Sequence, residues 1–411
     1  MSFSTPFPGP FSVPFPAPFH GMPAPVSVPR PPLEPTPMPE ANLPRALNYY
    51  ADVSGCGHWR MIWPEHILNA HQKLLVHGST VMCFDPRFFT GTKAIRIQRQ
   101  ATESQLMFVK FLRELSNQLG FKIIYEIDDI VFHEDIPDYN KFKTAFVDPK
   151  IRAYAQEMMS LADEITVTCQ YMKEYYQSKT GNSRITVIPN FPPRFWMGHY
   201  YNPEKIKANY VRHCCGKNPR PRILYSGSGA HFDVENRVNQ ADDFEHVRNA
   251  IAKTSSEFQW VFLGAFPLPL QDLVKNGTLE YHQWSRLYDY PKKIASLNCN
   301  MMIAPLQNNV FNCAKSDLKL IEAGCYGIPI VCQDIATYKE APLKFTTGDE
   351  MIDQIKRVIK SPSLYYSYSK IGNALAESRY LENDDNIDQY VELYTTEYKS
   401  PARKLLSKLN P

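Results

Sequence analysis

The sequence predicts an α/β protein of two similar halves, each a parallel sheet flanked by helices, with a disordered proline-rich tail in front. Three observations carry this. From Ala46 onward, short apolar runs alternate with longer amphipathic stretches, the signature of strand-helix-strand units. The alternation breaks off near residue 189 and resumes near residue 222. A chain of 411 residues is also too long for one ordinary core.

The elements follow in order. The tail covers residues 1–42, and by residue 44 the chain has used fifteen of its 34 prolines, with almost no charge and no helical period. Inside it Phe3, Phe7, Phe11, Phe15 and Phe19 recur at every fourth position. That row is either low-complexity drift or a docking tail whose phenylalanines enter pockets on a protein partner, at little ordering cost because proline has stiffened the chain. The first half, 43–195, should hold strands at 46–52, 79–84, 94–98, 121–127, 164–168 and 185–188, with helices near 60–75, 102–119, 150–162 and 170–179. Residues 196–220, rich in basic and aromatic side chains, read as an interdomain connection. The second half, 221–375, should hold strands at 222–226, 258–263, 278–282, 300–303 and 328–332, with helices near 241–253, 291–297, 316–325 and 349–360. The remainder, 376–411, completes a pair of tyrosine-rich terminal helices that begins near 363.

Composition excludes several classes. Hydrophobic residues at 44% and charged residues at 21% describe a globular chain able to bury sizeable cores. There is no apolar run of about 18 residues and no basic region leading into an apolar stretch, so neither a membrane span nor a secretory signal is expected and the chain reads as cytoplasmic. Nine scattered cysteines without C-x-x-C spacing or Cys/His clusters speak against a disulfide framework or a structural zinc site. The net charge of +3 neither requires nor opposes a polyanionic partner.

Ligands of open parallel sheets bind beyond the carboxyl ends of the strands, so the loops there carry the chemistry. Four stand out. In Ser54-Gly55-Cys56-Gly57-His58-Trp59-Arg60, Gly55 and Gly57 form a turn opening a helix whose amides, with Arg60 following, can receive a phosphate or a polar acceptor; the same residues also suit a plain tight turn. In Tyr125-Glu126-Ile127-Asp128-Asp129 an apolar strand ends in adjacent carboxylates, and because strand side chains alternate, one of the two faces the cleft; Asp128 is the candidate, with a solvated or helix-capping carboxylate as the alternative.

The third loop, Tyr225-Ser226-Gly227-Ser228-Gly229-Ala230-His231, offers Gly227 and Ser228 for close approach of a phosphate and His231 as a hydrogen-bond donor to it. The fourth runs from Phe311 to Val331 as loop, helix, glycine turn and apolar strand. Here Ser316 or Asn312 can cap the helix, whose free amides then point at the cleft beside Lys315. Lys315, Lys319 and Glu322 fall within about 60° of one helical face, which makes a seat for a pyrophosphate.

At this fourth segment the sequence resembles the retaining GT-B glycosyltransferases, which transfer sugar from a nucleotide donor between two facing Rossmann-like domains. The string Lys315-Ser316-Asp317-Leu318-Lys319-Leu320-Ile321-Glu322-Ala323-Gly324-Cys325-Tyr326-Gly327-Ile328-Pro329-Ile330-Val331 is similar to their donor-site helix and strand. Leu161-Ala162-Asp163-Glu164-Ile165-Thr166-Val167, Ile188-Pro189-Asn190 and Val261-Phe262-Leu263-Gly264 are similar to further parts of the class, so the likeness runs over about 46–375. It implies a ribose-binding role for Glu322, a UDP- or GDP-linked sugar as co-substrate, and no separate cofactor. It also implies catalytic roles for Lys315 and Lys319, which stabilise the leaving diphosphate as an oxocarbenium-like sugar forms; Asp128, from its place at the strand end, is the further catalytic candidate, binding the acceptor or sensing charge at the reacting sugar. No D-x-D motif is present, in keeping with a metal-independent transferase.

Two departures sharpen the reading. Many members carry a glutamate eight positions before the ribose-binding one, where this chain has Ala314, and the usual Arg/Lys pair after the first strand of the second domain is absent. Lys315, Lys319 and His231 must then carry more of the phosphate charge, as in some bacterial and bacteriophage members. The acceptor classes are a saccharide or a protein, or a hydroxymethylated base in phage DNA, the last placing a phage-encoded enzyme in the host cytoplasm. For DNA, the cations from Arg194 to Arg212 with Lys217, Arg220 and Arg222 would follow the backbone, and Trp59, Phe195 or Trp196 would fill the place of the flipped base. The rival readings are a nucleotide-sugar isomerase or phosphorylase of the same architecture and a silent sugar-nucleotide-binding protein.

Overall fold

In the computed structural model, which describes residues 43–99, 101–233 and 241–397, the two apolar series become two six-stranded sheets. The expectations for the tail, its phenylalanine row included, and for 398–411 lie outside the described residues. The first sheet contains β1 (Arg45–Tyr49), β2 (Leu75–Ser79), β3 (Thr92–Gln98), β4 (Lys122–Glu126), β5 (Glu164–Val167) and β6 (Ile185–Val187), in the order β2-β1-β3-β4-β5-β6. The second contains β7 (Arg222–Gly227), β8 (Gln259–Gly264), β9 (Glu280–His282), β10 (Met301–Ala304), β11 (Ile330–Gln333) and β12 (Lys344–Phe345), in the order β12-β11-β10-β7-β8-β9. Every pairing is parallel. Central strands such as β4 and β10 are buried along their whole length, as sheets covered by helices on both faces require. The expected fold class is therefore the observed one.

Several elements differ from expectation for local reasons. The strand expected at 79–84 lies at Leu75–Ser79 instead. As an edge strand β2 buries only Val76, and the more apolar run after it covers the core from a loop, Met82 and Cys83 packing on the first core and Phe84 on Phe108 and Phe111. The helix expected at 241–253 is reduced to Arg248–Lys253. Asp242 draws the preceding residues into turns, its carboxylate accepting from the amides of Phe244 at 2.9 Å and Asp233 at 3.1 Å. The connection hides a helix, Pro203–Cys214, capped by Asn202 and anchored by buried Ile206 and Tyr210. The helix Glu103–Leu119 starts on a Thr102/Gln105 capping box and ends at Gly120, whose φ of 86° suits glycine.

The two halves share packing. One apolar cluster contains Ala46, Trp59 and Trp63 from the first half and Leu224, Leu320 and Ile321 from the second. Helix Pro362–Ser378 lies so close to helix Leu318–Tyr326 that a Cβ on Gly324 would stand 2.2 Å from the Gly372 carbonyl oxygen. Helix Asp384–Thr395 then returns to the first sheet, where the Tyr394 hydroxyl donates to Asn48 Oδ1 at 2.6 Å and Lys122 Nζ to the Leu393 carbonyl at 2.8 Å. No helix among the described residues is long and apolar enough to cross a membrane.

Candidate functional site

The loops at the carboxyl ends of both sheets meet in one cleft, which side chains of both halves bridge. Lys315 Nζ lies 3.9 Å from Asp129 Oδ2. Asn190 Nδ2 donates to Ser316 Oγ at 3.0 Å, and Cys169 Sγ to the Ala314 carbonyl at 3.4 Å. The Tyr139 hydroxyl donates to Asp243 Oδ1 at 2.6 Å, and the Tyr288 hydroxyl lies 3.1 Å from His58 Nε2.

The lysine segment is held from both sides. Asn309 caps the short helix Val310–Cys313, and Phe311 and Ala314 are buried in the core of the first half. The methyl of Ala314 therefore sits in that core, so a longer acidic side chain at this position would have to displace it. Lys315 emerges from this plug with its ammonium 4.3 Å from the centre of the Phe311 ring. Neither Ser316 nor Asn312 caps helix Leu318–Tyr326, contrary to expectation. The residue at the cap is Asp317, which makes no side-chain cap bond and pairs with Arg379 at 3.1 Å. Asn312 is buried and uses its amide to donate to Asp243 Oδ1 at 2.6 Å, the Tyr139 hydroxyl at 3.0 Å and the Gln307 carbonyl at 3.0 Å.

Lys319 and Glu322 follow on the same helix. Burial lowers the Lys319 pKa, with Glu322 opposing the shift and Lys315 adding to it. Glu322 is 8% exposed, and burial raises its carboxyl to about 7 against the pull of Lys319 and of Tyr290. Tyr290 donates to Glu322 Oε2 at 3.1 Å, so the 2.9 Å contact between Ser226 Oγ and the Tyr290 hydroxyl is donated by the serine. A carboxyl this near to neutral pH is easily ionised by hydroxyl donors.

His231 and Asp243 form the other polar centre. His231 Nδ1 lies 2.7 Å from Asp243 Oδ2, and burial lowers the imidazole to about 4, with the Asp243 hydrogen bond opposing and Lys319 and Lys315 reinforcing. Ser228 Oγ accepts from the Ala230 amide at 3.3 Å, shaping the turn that presents His231. Gly227 is required by space: a Cβ there would stand 2.3 Å from the Tyr225 hydroxyl.

The first-half loop behaves differently from its expected role. Asp52 Oδ1 already accepts from the amides of Ser54 at 2.8 Å and Gly57 at 3.2 Å, so the chain's own carboxylate occupies the helix start at which an anion was expected. Gly55 has open space around it, whereas a Cβ on Gly57 would fall 1.9 Å from the Asp52 carbonyl oxygen. Arg60 is buried at 1% exposure and turned away from the cleft, donating to Glu126 Oε1 at 2.6 Å, the Ile188 carbonyl at 2.7 Å and Asn190 Oδ1 at 3.0 Å. Arg96 and Thr166 complete this cluster on Glu126. Asp128 lies 3.2 Å from Arg99 Nε, so Asp129 is the member of the pair that approaches Lys315.

The structure thus groups Lys315, Lys319, Glu322 and His231 at one end of the second sheet, joins Asn312 to His231 through Asp243, and separates Arg60 from them as a buried support. Sequence reasoning missed Asp243, Tyr139, Tyr290 and Asp52. Asp243, Tyr139 and Tyr290 act through partners distant in sequence, whereas Asp52, two residues ahead of Ser54, carries a local capping signal. The residues expected to replace a flipped base do not form a free set: Trp59 and Trp196 are buried against each other and Trp63, while Phe195 is 49% exposed. Of the cations expected along DNA, Arg194 pairs with Glu377 at 2.9 Å and Arg222 with Glu280 at 2.8 Å.

Among solved structures, a glycosyltransferase from Rickettsia africae ESF-5 superposes at a TM-score of 0.56, covering 88% of this chain and 100% of that one at 12% identity. The likeness is to a glycosyltransferase fold. TarM of S. aureus matches more weakly, at a TM-score of 0.49 and 11% identity over 74% of this chain and 55% of that one. No family model matches the sequence, and no curated protein does. At 12% identity the likeness to the Rickettsia africae protein is one of fold alone, the GT-B arrangement of two facing Rossmann-like sheets.

Proposed function

We propose that this chain is a glycosyltransferase that moves a sugar from a nucleoside-diphosphate donor, UDP- or GDP-linked, to a hydroxyl acceptor. The observation that carries the reading is the grouping of Lys315, Lys319, His231 and Glu322 where the carboxyl ends of the second sheet face the first half. Two ammonium groups suit a diphosphate, and a carboxyl poised near 7 suits a pair of ribose hydroxyls, whose donation favours its ionised form. Lys319 and Glu322 lie on the helix Leu318–Tyr326, and Lys315 stands in the bend that precedes it.

In this mechanism the bond between the anomeric carbon and the diphosphate oxygen stretches first, and negative charge grows on the leaving phosphate. Lys315 and Lys319 meet that charge with fixed positive charge. Asp129, 3.9 Å from Lys315, moderates the ammonium and yields to the phosphate when the donor enters. Retention of anomeric configuration and independence of a metal follow from the resemblance of the lysine segment to the retaining class. A saccharide or protein acceptor is favoured over DNA, because Trp59 and Trp196 are committed to the core and Arg194 and Arg222 to ion pairs.

The test is nucleotide release from a panel of UDP- and GDP-sugars, with and without saccharide, protein and hydroxymethylated DNA acceptors. Release that depends on acceptor supports transfer. Rearranged sugar nucleotide without release would assign the isomerase reading, and binding without turnover the silent one.

A further inference from the structure

The Asp243 carboxylate is fully engaged. Its Oδ1 accepts from the Tyr139 hydroxyl at 2.6 Å, Asn312 Nδ2 at 2.6 Å and the Gln307 amide at 3.0 Å, while its Oδ2 faces His231 Nδ1 at 2.7 Å. A carboxylate surrounded by three donors accepts from the fourth partner as well, so the proton of a neutral His231 belongs on Nδ1. That leaves Nε2 as a lone pair, and it has no hydrogen-bond partner among the described residues. A neutral imidazole in this state cannot donate to a phosphate, which is the role the sequence suggested for it.

We propose that Asp243 is the positioning residue of this site: it pins the His231 proton to Nδ1 and keeps Nε2 as a lone pair that takes up a proton from solvent when a diphosphate enters beside Lys315 and Lys319. This rests on the donor-site reading above. The charged groups that act most strongly on the ring are Asp243, Lys319 and Lys315. Without a diphosphate, burial and the two ammonium groups keep the ring neutral. A diphosphate brings negative charge that offsets both lysines, the imidazole becomes the favoured place for a proton, and the resulting imidazolium donates through Nε2 to a phosphate oxygen and through Nδ1 to Asp243. Tyr139 belongs to the first half, so the carboxylate is held in this pose by a hydroxyl from across the cleft.

The variant Asp243→Asn is diagnostic. Three donors converge on Oδ1, so the amide must place its oxygen there and turn its NH2 toward His231, which forces the ring proton onto Nε2. Nitrogen-15 spectra of the full-length labelled protein at pH 6, with the His231 signals assigned by their loss in His231→Asn, read the tautomer directly. The wild-type ring is expected neutral and protonated on Nδ1 when free, and protonated on both nitrogens with saturating UDP or GDP. Asp243→Asn is expected to show the Nε2–H form and no uptake. Should that variant unfold, Tyr139→Phe, which removes one of the three donors, should still weaken the uptake. A wild-type ring protonated on Nε2, or one left neutral while a nucleotide binds, would overturn the proposal and spare the transferase reading. Failure of both nucleotides to bind would overturn both.

Discussion

Asn190 Nδ2 donates to Ser316 Oγ at 3.0 Å while Asn190 Oδ1 accepts from Arg60 Nη1 at 3.0 Å, so one side chain links a buried ion cluster of the first half to the lysine segment of the second. Replacing Asn190 with Ala removes both bonds and leaves Arg60 Nη1 with the Ile188 carbonyl alone. A stability loss of about 1–2 kcal/mol is expected in urea unfolding. Donor turnover per folded molecule should fall as well, because Ser316 adjoins Lys315. Unchanged stability would show that the bridge is incidental.

Arg60 tests the separation of support from site. Arg60→Met leaves Glu126 buried beside Arg96 with part of its charge uncompensated, at a cost of roughly 3 kcal/mol or more. Nucleotide affinity of the folded fraction should stay within about twofold of wild type. A selective loss of nucleotide binding without a loss of stability would return Arg60 to the cleft.

Glu322 carries a pH signature. Its carboxyl is raised from 4.5 to about 7, chiefly by burial, so its contribution to stability is fully present below 4.5 and is lost as the pH rises through 7. Glu322→Gln lacks this titration. The variant should therefore gain on wild type between pH 5 and pH 8, by on the order of 1 kcal/mol once the loss of a partner for Lys319 is counted. Its affinity for UDP or GDP should fall about tenfold, since ribose hydroxyls lose an ionised acceptor. A stability difference independent of pH would contradict the buried, raised carboxyl.

Much of the fold was legible because parallel strands buried on both faces leave apolar runs that no surface element shares, as in Ile123, Ile124 and Tyr125 or Met301, Met302 and Ile303. The edges were less so. β2 buries only Val76 and β12 pairs two residues, too little for a pattern to form. In the site, Lys319 and Glu322 were legible because they sit three residues apart on one helix, whereas Lys315, expected on the same helical face, lies in the bend before that helix. Asp243 was not, because what defines it is convergence of Tyr139, Gln307 and Asn312, residues brought together only by the fold. Arg60 misled for the opposite reason: a basic residue after a glycine turn looks the same whether it meets a phosphate or a buried glutamate.

The most direct test is release of UDP or GDP from nucleotide sugars by the wild type and by Lys315→Ala, with kcat and KM separated. Acceptor-dependent release is predicted for the wild type. In Lys315→Ala, kcat should fall on the order of a hundredfold and KM change far less, because the charge this ammonium meets grows in the transition state. No release from any UDP- or GDP-sugar, or release undiminished in Lys315→Ala, would contradict a donor site built on this lysine.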